Sequence, residues 1–112
     1  MSVIDKATFE ELKEMSGEDF LNELIDTFLE DAPKLIDEMK VARTANNADT
    51  FRRAAHSLKS NAATFGATQL SALAKALELL AKENKLDEVG DRISMLEEAF
   101  ASVRDELRDL KS

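Results

Sequence analysis

The sequence predicts an all-α fold, an up-down-up-down antiparallel four-helix bundle with a short N-terminal helix. The 112 residues contain only 3 Gly and 1 Pro, with no Trp or Tyr, so residues that favour turns or strands are scarce. Apolar residues also recur at spacings of three and four along most of the chain, as they do on the buried face of a helix. Because the loops between the four long helices are short, consecutive helices are expected to run antiparallel.

The first two helices are predicted from their end signals. Asp5 can cap a short helix that ends at Ser16-Gly17, and this helix carries three apolar residues on one side: Phe9, Leu12 and Met15. Ser16 and Asp19 resemble a capping box, which would open a second helix that ends near Thr44. Pro33 lies inside this second helix and is expected to kink it without breaking it.

The second helix has an unusually wide apolar arc, which runs from Phe20 through Leu29 to Ile36. The arc spans about 180°, whereas a stripe of roughly 100° is enough for a helix on the surface of a core. Either the flanking helices cover both edges of the arc, or one edge stays exposed as a partner surface.

Turn residues delimit the remaining helices. The polar stretch 45–49 is predicted to be a turn that also supplies helix caps, and a third helix runs from about Thr50 to Phe65, before Gly66. A fourth helix runs from about Thr68 to Glu83. The last helix carries an unbroken stripe, which we assign to the core: Val89, Ile93, Leu96, Phe100, Val103, Leu107 and Leu110.

Charge and composition exclude several classes of function. The chain has 15 basic and 23 acidic residues, and the net charge of −8 disfavours nucleic acids and membranes as partners. The absence of Cys excludes disulfides and thiolate sites. Many proteins of the reducing cytosol likewise lack disulfides. No signal-peptide core or membrane span is recognisable. We therefore expect one cytoplasmic, monomeric domain over residues 1–112.

The third helix carries the residues that could take part in a reaction or in binding. Its predicted core stripe is Phe51, Ala55, Leu58, Ala62 and Phe65. The only histidine, His56, lies roughly 140° from the centre of that stripe and should face solvent. Its helical neighbours on the same side include three cations and two small residues, which leave an open docking surface: Arg52, Arg53, Lys59, Ser60 and Ala63.

Helix geometry alone leaves two interpretations of this surface open. His56 and the cations can form an ordinary solvated face. Alternatively, the imidazole is a nucleophile toward phosphorus, and the nearby cations stabilise the oxygens of the transferring group.

The segment from Ala55 to Ala67, AHSLKSNAATFGA, closely resembles the signature of histidine-containing phosphotransfer (HPt) domains. In that signature, His-x-Leu-Lys-Gly is followed by small residues and a Gly that ends the helix. Residues 28–33, FLEDAP, resemble the second helix of the family, and four residues fit its next helix: Leu70, Leu73, Leu77 and Glu78. The resemblance thus covers most of the chain.

The resemblance implies roles for individual residues. His56 matches the phosphorylated histidine, and Lys59 matches the lysine that helps to hold the phosphoryl oxygens. Ser60 stands where the family usually has Gly, and its hydroxyl is small enough to be tolerated there. Gln69 is a secondary candidate for a polar residue near the phosphate, although it also fits as a first-turn residue of the fourth helix.

The implied function is that of a phosphorelay carrier. Such domains accept a phosphoryl group from an aspartyl phosphate on a receiver domain and pass it to the aspartate of another receiver. The receivers belong to response regulators or hybrid histidine kinases, and they supply the Mg²⁺ and the acidic residues. The chain itself shows no nucleotide motif and no second histidine for a metal site, so we expect a carrier without a cofactor rather than an enzyme.

Three alternatives stay open from the sequence. The chain could be a helical adaptor that regulates a signalling partner by docking, without phosphorylation of His56. It could be a purely structural bundle. It could also be a phosphohistidine domain that an ATP-binding domain phosphorylates directly, although its length and signature fit the receiver-to-receiver type better.

Overall fold

The computed structural model describes residues 2–111, and all regular elements in that range are helical. Five α-helices follow one another: α1 (Lys6–Ser16), α2 (Glu18–Thr44), α3 (Ala48–Thr64), α4 (Thr68–Lys82) and α5 (Arg92–Leu110). A short 3₁₀ turn, Leu86–Glu88, precedes α5. None of the helices within 2–111 is long and apolar enough to cross a membrane. The all-α prediction is confirmed.

Helix α3 packs between α2 and α4, whereas α5 contacts α4 and α2. Two ion pairs show how α2 lies against α5. Lys111 Nζ lies 2.6 Å from Asp26 Oδ1, and Lys40 Nζ lies 2.8 Å from Glu97 Oε2. Because a residue early in α2 meets the end of the chain and a later one meets the first half of α5, the two helices run antiparallel.

The buried face of α3 forms the middle of the core. All five residues of its predicted stripe are buried, which confirms the periodicity argument for this helix. The ring of Phe65, just after α3, is tilted against that of Phe28 in α2 at a centroid distance of 5.1 Å. The edge-to-face rings of Phe28 and Phe100 of α5 have centroids 5.9 Å apart. Packing from several sides therefore fixes α3 and leaves its opposite face free to present His56.

The N-terminal segment closes over the end of α3. Asp5 caps α1 as predicted, since its carboxylate accepts a hydrogen bond from the backbone N–H of Thr8. The backbone N–H of Asp5 also donates to the carbonyl of Gly66 over 2.8 Å. Gly66 has a φ of +79°, so it follows α3 with the left-handed backbone expected of a helix stop.

The predicted capping box before α2 is wrong. Helix α1 includes Ser16, and α2 begins after Gly17, whose φ of 79° and ψ of 156° are accessible to glycine, without a side-chain cap. Met15 is also misplaced by the sequence argument, because its side chain is 86% exposed rather than packed beside Phe9. Helix α2 continues through Pro33 as one element, as predicted, and the kink stays a prediction.

The helix ends near α3 and α5 differ from the sequence pattern. Asn47 caps α3 by accepting from the N–H of Thr50, which confirms that the 45–49 turn supplies a cap, and α3 starts at Ala48. The last apolar stripe is not one helix, because Val89 is buried between the 3₁₀ turn and α5. Leu110, at the end of the stripe, is 40% exposed rather than part of the core. Gly90, with a φ of 57°, interrupts the helical path here.

Candidate functional site

His56 lies on the outer face of α3, as its position in the sequence predicts. Its side chain is 55% exposed, whereas its neighbours Ala55 and Leu58 are completely buried on the opposite face. The imidazole Nδ1 lies 2.8 Å from Oε2 of Glu78 on α4. One ring nitrogen is therefore held by the adjacent helix, while the side chain as a whole stays accessible.

Glu78 joins His56 to Lys59. Its second carboxylate oxygen, Oε1, lies 2.8 Å from Lys59 Nζ, and the Glu78 side chain is only 14% exposed. The hydroxyl of Ser71 donates to the backbone carbonyl of Lys59 over 3.0 Å, which ties α4 to α3 beside the site. His56, Glu78 and Lys59 thus form one bridged arrangement, which we call the His56–Glu78–Lys59 cluster.

The hydrogen bonds in this cluster keep Glu78 ionised. Burial by itself would raise the pKa of the Glu78 carboxyl. Hydrogen bonds from Lys59 and His56, together with the positive charge of Lys59 and of the His56 ring when it is protonated, outweigh burial and hold the pKa of Glu78 below its ordinary value of 4.5. Glu78 is therefore a carboxylate at neutral pH.

An ionised Glu78 determines which ring nitrogen of His56 is free to react. A carboxylate can only accept a hydrogen bond, so the proton of the neutral imidazole lies on Nδ1. Nε2 then carries the lone pair, and it belongs to the exposed side chain. No group of three or more His, Asp or Glu residues within 2–111 is placed to hold a metal ion. The cluster offers a nucleophilic nitrogen with an adjacent cation.

The lowered pKa of Glu78 predicts a dependence of stability on acid pH. A group with a lower pKa in the folded state stabilises the fold above its unfolded pKa, and this contribution is lost as pH falls through the folded pKa. We expect Glu78→Gln to lower the free energy of unfolding at neutral pH, and the difference from the wild type to shrink below a pH of 4.5. Urea titrations from about pH 7 to about pH 3 measure this difference. A difference that is constant across this range would contradict the account.

Arg52 and Arg53 are not arranged as the sequence suggested. Both guanidinium groups pair with Asp49 in the first turn of α3, at 3.0 and 3.1 Å, because Asp49 lies three and four residues before them. The expectation that three cations surround the imidazole is therefore wrong. Lys59 is the cation that the structure connects to His56, and the connection runs through Glu78. Contact of the two arginines with a partner stays a prediction.

The other candidate residues lie at different distances from the cluster. Ser60 and Ala63 are exposed on α3, one and two turns beyond His56. Gln69 is exposed in the first turn of α4, about 13 Å before Glu78 along the helix axis and on the opposite side of the helix. It borders a cleft with the N-terminal segment 2–6. The structure does not bring Gln69 to His56.

A groove runs between α2 and α3 beside the exposed part of α3. It has a volume of about 250 Å³, and its lining combines apolar and polar side chains: Leu24, Thr27, Phe28, Asp31, Asn61, Thr64 and Phe65. Phe20, one turn before Leu24, is 53% exposed. An edge of the wide apolar arc of α2 is thus exposed, and the flanking helices do not cover it completely.

Glu78 is the site residue that the sequence argument missed. It was matched to a family helix without being assigned a role. Its sequence context holds a signal, because it is the single charged residue among apolar neighbours in the segment 76–81, ALELLA. An isolated acid on an otherwise apolar stretch needs a partner if the helix packs there.

Comparisons with known proteins agree with this site. The Hpt domain family matches residues 23–111, a range that includes the whole cluster. The phosphorelay protein LuxU of Vibrio harveyi is 31% identical over 106 residues, which cover 95% of this chain and 93% of LuxU. The crystal structure of histidine-containing phosphotransfer protein B (HptB) from Pseudomonas aeruginosa PAO1 superposes with a TM-score of 0.90 at 28% identity. This superposition covers 96% of this chain and 93% of HptB. The similarity therefore extends over nearly the full length.

Proposed function

Because the chain belongs to the Hpt domain family, we propose that it carries a phosphoryl group on His56 between receiver domains. Membership supports a role as a phosphotransfer carrier in two-component signalling, in a family whose members are generally not catalytic enzymes. The observation that supports His56 as the acceptor is its contact with Glu78. This contact holds the Nδ1 proton and leaves the lone pair on Nε2 of an exposed ring.

The proposed transfer is a direct exchange between nitrogen and oxygen. The Nε2 lone pair attacks phosphorus, the Nε2–P bond forms, and the bond from phosphorus to the aspartyl oxygen of the donor breaks. The proton on Nδ1 stays in its hydrogen bond to Glu78. Transfer to the next receiver is the reverse reaction with a different aspartate. The Mg²⁺ and the acidic residues that the reaction uses belong to the receivers.

Lys59 is proposed to stabilise the phosphoryl oxygens. It lies one turn from His56, and Glu78 already holds its ammonium group beside the ring. A cation at this place offsets negative charge on the transferring group, as cations do in other phosphoryl transfers.

The receiver is proposed to dock over the exposed face of α3. Ser60 and Ala63 would lie under it, and Arg52 and Arg53 would meet its acidic surface at the edge. The groove between α2 and α3 supplies apolar contacts beside this face. Gln69 is not part of the proposed surface, because it lies on the side of α4 opposite Glu78.

We propose that this carrier is a single domain over residues 1–112, built as an up-down-up-down four-helix bundle. The antiparallel contacts of α2 with α5 support this topology. The partners would be receivers of response regulators or hybrid histidine kinases. His56, Glu78 and Lys59 all come from one chain, which supports a monomer, and a chain without Cys suits the cytoplasm.

The competing proposal is an adaptor that binds receivers without being phosphorylated. It is favoured by Ser60, because a side chain at this position stands where a partner loop would approach the backbone most closely.

Phosphotransfer from a panel of phosphorylated receivers separates the two proposals. We expect the purified chain to gain phosphate from at least one receiver, in a form that acid releases and base does not, as for phosphohistidine. The same receivers without phosphate are the control for binding. Stable binding with no transferred phosphate would overturn the carrier proposal and support the adaptor.

A further inference from the structure

The contact between Glu78 and the ring bears on how long a phosphoryl group stays on His56. We propose that Glu78 is a positioning residue whose negative charge keeps the proton on Nδ1 after phosphorylation, and so makes the phosphohistidine short-lived. This inference rests on the proposed function of His56 and extends it from which residue is phosphorylated to how readily it releases phosphate.

The geometry makes Glu78 an effective partner for the ring. Its Oε2 lies 2.8 Å from Nδ1, and its other oxygen is fixed at 2.8 Å by Lys59. The carboxylate is 14% exposed, so water screens its charge less than at an open surface. The lowered pKa of Glu78 is consistent with a carboxylate that stays charged.

The location of the Nδ1 proton explains why this charge affects release of the phosphoryl group. Phosphorylation forms the Nε2–P bond and breaks the P–O bond to the donor aspartate, whose carboxylate takes the electron pair. Since Nδ1 keeps its proton, the phosphorylated ring carries a positive charge beside Glu78. When phosphorus moves on to water or to the next aspartate, the ring leaves as neutral imidazole. A ring that had lost the Nδ1 proton would have to leave as an imidazolate anion, which is a much poorer leaving group.

The other charged groups at the site do not replace this effect. Lys59 from α3 is positive and so cannot supply a negative charge, while Asp49, two turns before His56, pairs with Arg52 and Arg53. Glutamine at position 78 could still accept the hydrogen bond from Nδ1, but it would supply no charge. Glu78→Gln therefore isolates the charge from the hydrogen bond.

The lifetime of the phosphohistidine tests the proposal without any receiver. Wild-type protein and Glu78→Gln are phosphorylated with phosphoramidate, a small donor, and the loss of the phosphohistidine signal is followed by ³¹P NMR in buffer without Mg²⁺. We expect the signal of Glu78→Gln to last about fivefold longer or more. The reason is that a carboxylate at this distance shifts the equilibrium of the phosphorylated ring toward the form protonated on Nδ1 by a factor on the order of ten. Equal or shorter lifetimes would overturn the proposal.

The control variant is Glu97→Gln. Glu97 also pairs with a lysine at 2.8 Å, but it does so between α5 and α2. Its substitution removes the same charge from an ion pair of equal length elsewhere in the chain, so the lifetime is expected to match the wild type. A lifetime that rises equally in both variants would overturn the proposal, since net charge alone would then explain it.

A second comparison separates the ring proton from an effect through Lys59. Removing Glu78 also frees Lys59 to bind the phosphoryl group, which could lengthen the lifetime by itself. Lys59→Met with and without Glu78→Gln forms a double-mutant cycle. We expect the Glu78→Gln effect to persist in the Lys59→Met background, and its disappearance there would overturn the proposal.

The ¹⁵N spectrum of the phosphorylated ring gives a readout that does not depend on a variant. In the phosphorylated wild type at neutral pH, Nδ1 is expected to carry a proton, and an unprotonated Nδ1 would overturn the proposal.

Different results would overturn the proposed function and this inference. No phosphate on His56 of the wild type overturns the proposed function together with this inference, whereas unchanged lifetimes overturn this inference alone.

Discussion

Replacing His56 with glutamine is expected to reduce phosphotransfer to background while leaving the fold intact. His56 is the only histidine in the chain, so no second imidazole can take over the reaction. Glutamine offers an amide N–H that can donate to Glu78, but it has no nitrogen lone pair able to attack phosphorus. The side chain is 55% exposed, so its loss creates no cavity. Time courses of phosphate on the chain and on the donor receiver measure the effect.

Ser57→Ala is the matched control for this variant. Ser57 is the exposed residue next to His56 and carries a hydroxyl that could in principle hold phosphate. We expect Ser57→Ala to accept phosphate at the wild-type rate and urea unfolding of both variants to resemble that of the wild type. Transfer that survives in His56→Gln, or that is lost in Ser57→Ala, would show that another residue is the acceptor.

Gly66→Ala is expected to have the largest effect on stability, at about 2–4 kcal/mol of the free energy of unfolding. Two costs combine at this position. The φ of +79° is unfavourable for a residue with a Cβ, and a Cβ here would lie 2.9 Å from the backbone oxygen of Asp5 and 3.1 Å from Cβ of Thr8. The N-terminal segment would have to move away, which also strains the hydrogen bond from the Asp5 N–H to the Gly66 carbonyl.

Gly90→Ala separates these two costs. Gly90 also has a positive φ, of 57°, but a Cβ there would meet nothing within 4 Å. This variant is expected to lose only the backbone term, about 1 kcal/mol. Urea unfolding of the two variants gives the steric part as their difference. If both variants lose the same stability, the close approach of Asp5 to Gly66 does not contribute to the fold.

Features that depend on a single helix could be predicted from the sequence. The core stripe of α3, the exposure of His56, the cap at Asp5 and the stop at Gly66 were all predicted. Each of them follows from periodicity or from a local hydrogen bond. The errors at Ser16 and Met15 have a local origin as well. Ser16 is the last residue of α1 rather than a cap of α2, and Met15, six residues after Phe9, lies about 120° around the helix from it.

Features that depend on two helices could not be predicted in the same way. The contact of His56 with Glu78 needs the rotation and the register of α3 against α4, and residues 22 positions apart carry no sequence signal for either. The predicted placement of the two arginines around His56 was wrong for a related reason. Helical spacing allowed Arg52 to approach His56 or Asp49, and the opposite charge of Asp49 decided the outcome. The family resemblance pointed to His56 as the proposed acceptor, whereas the structure shows that Glu78 contacts its ring.

The most direct test of the account is to locate the transferred phosphoryl group on one atom. The chain is labelled with ¹⁵N, phosphorylated by a cognate receiver and examined by NMR for coupling between ³¹P and the ring nitrogens of His56. The account predicts that phosphorus is bonded to Nε2, because Glu78 holds Nδ1. Phosphorus on Nδ1, or on any residue other than His56, would contradict it.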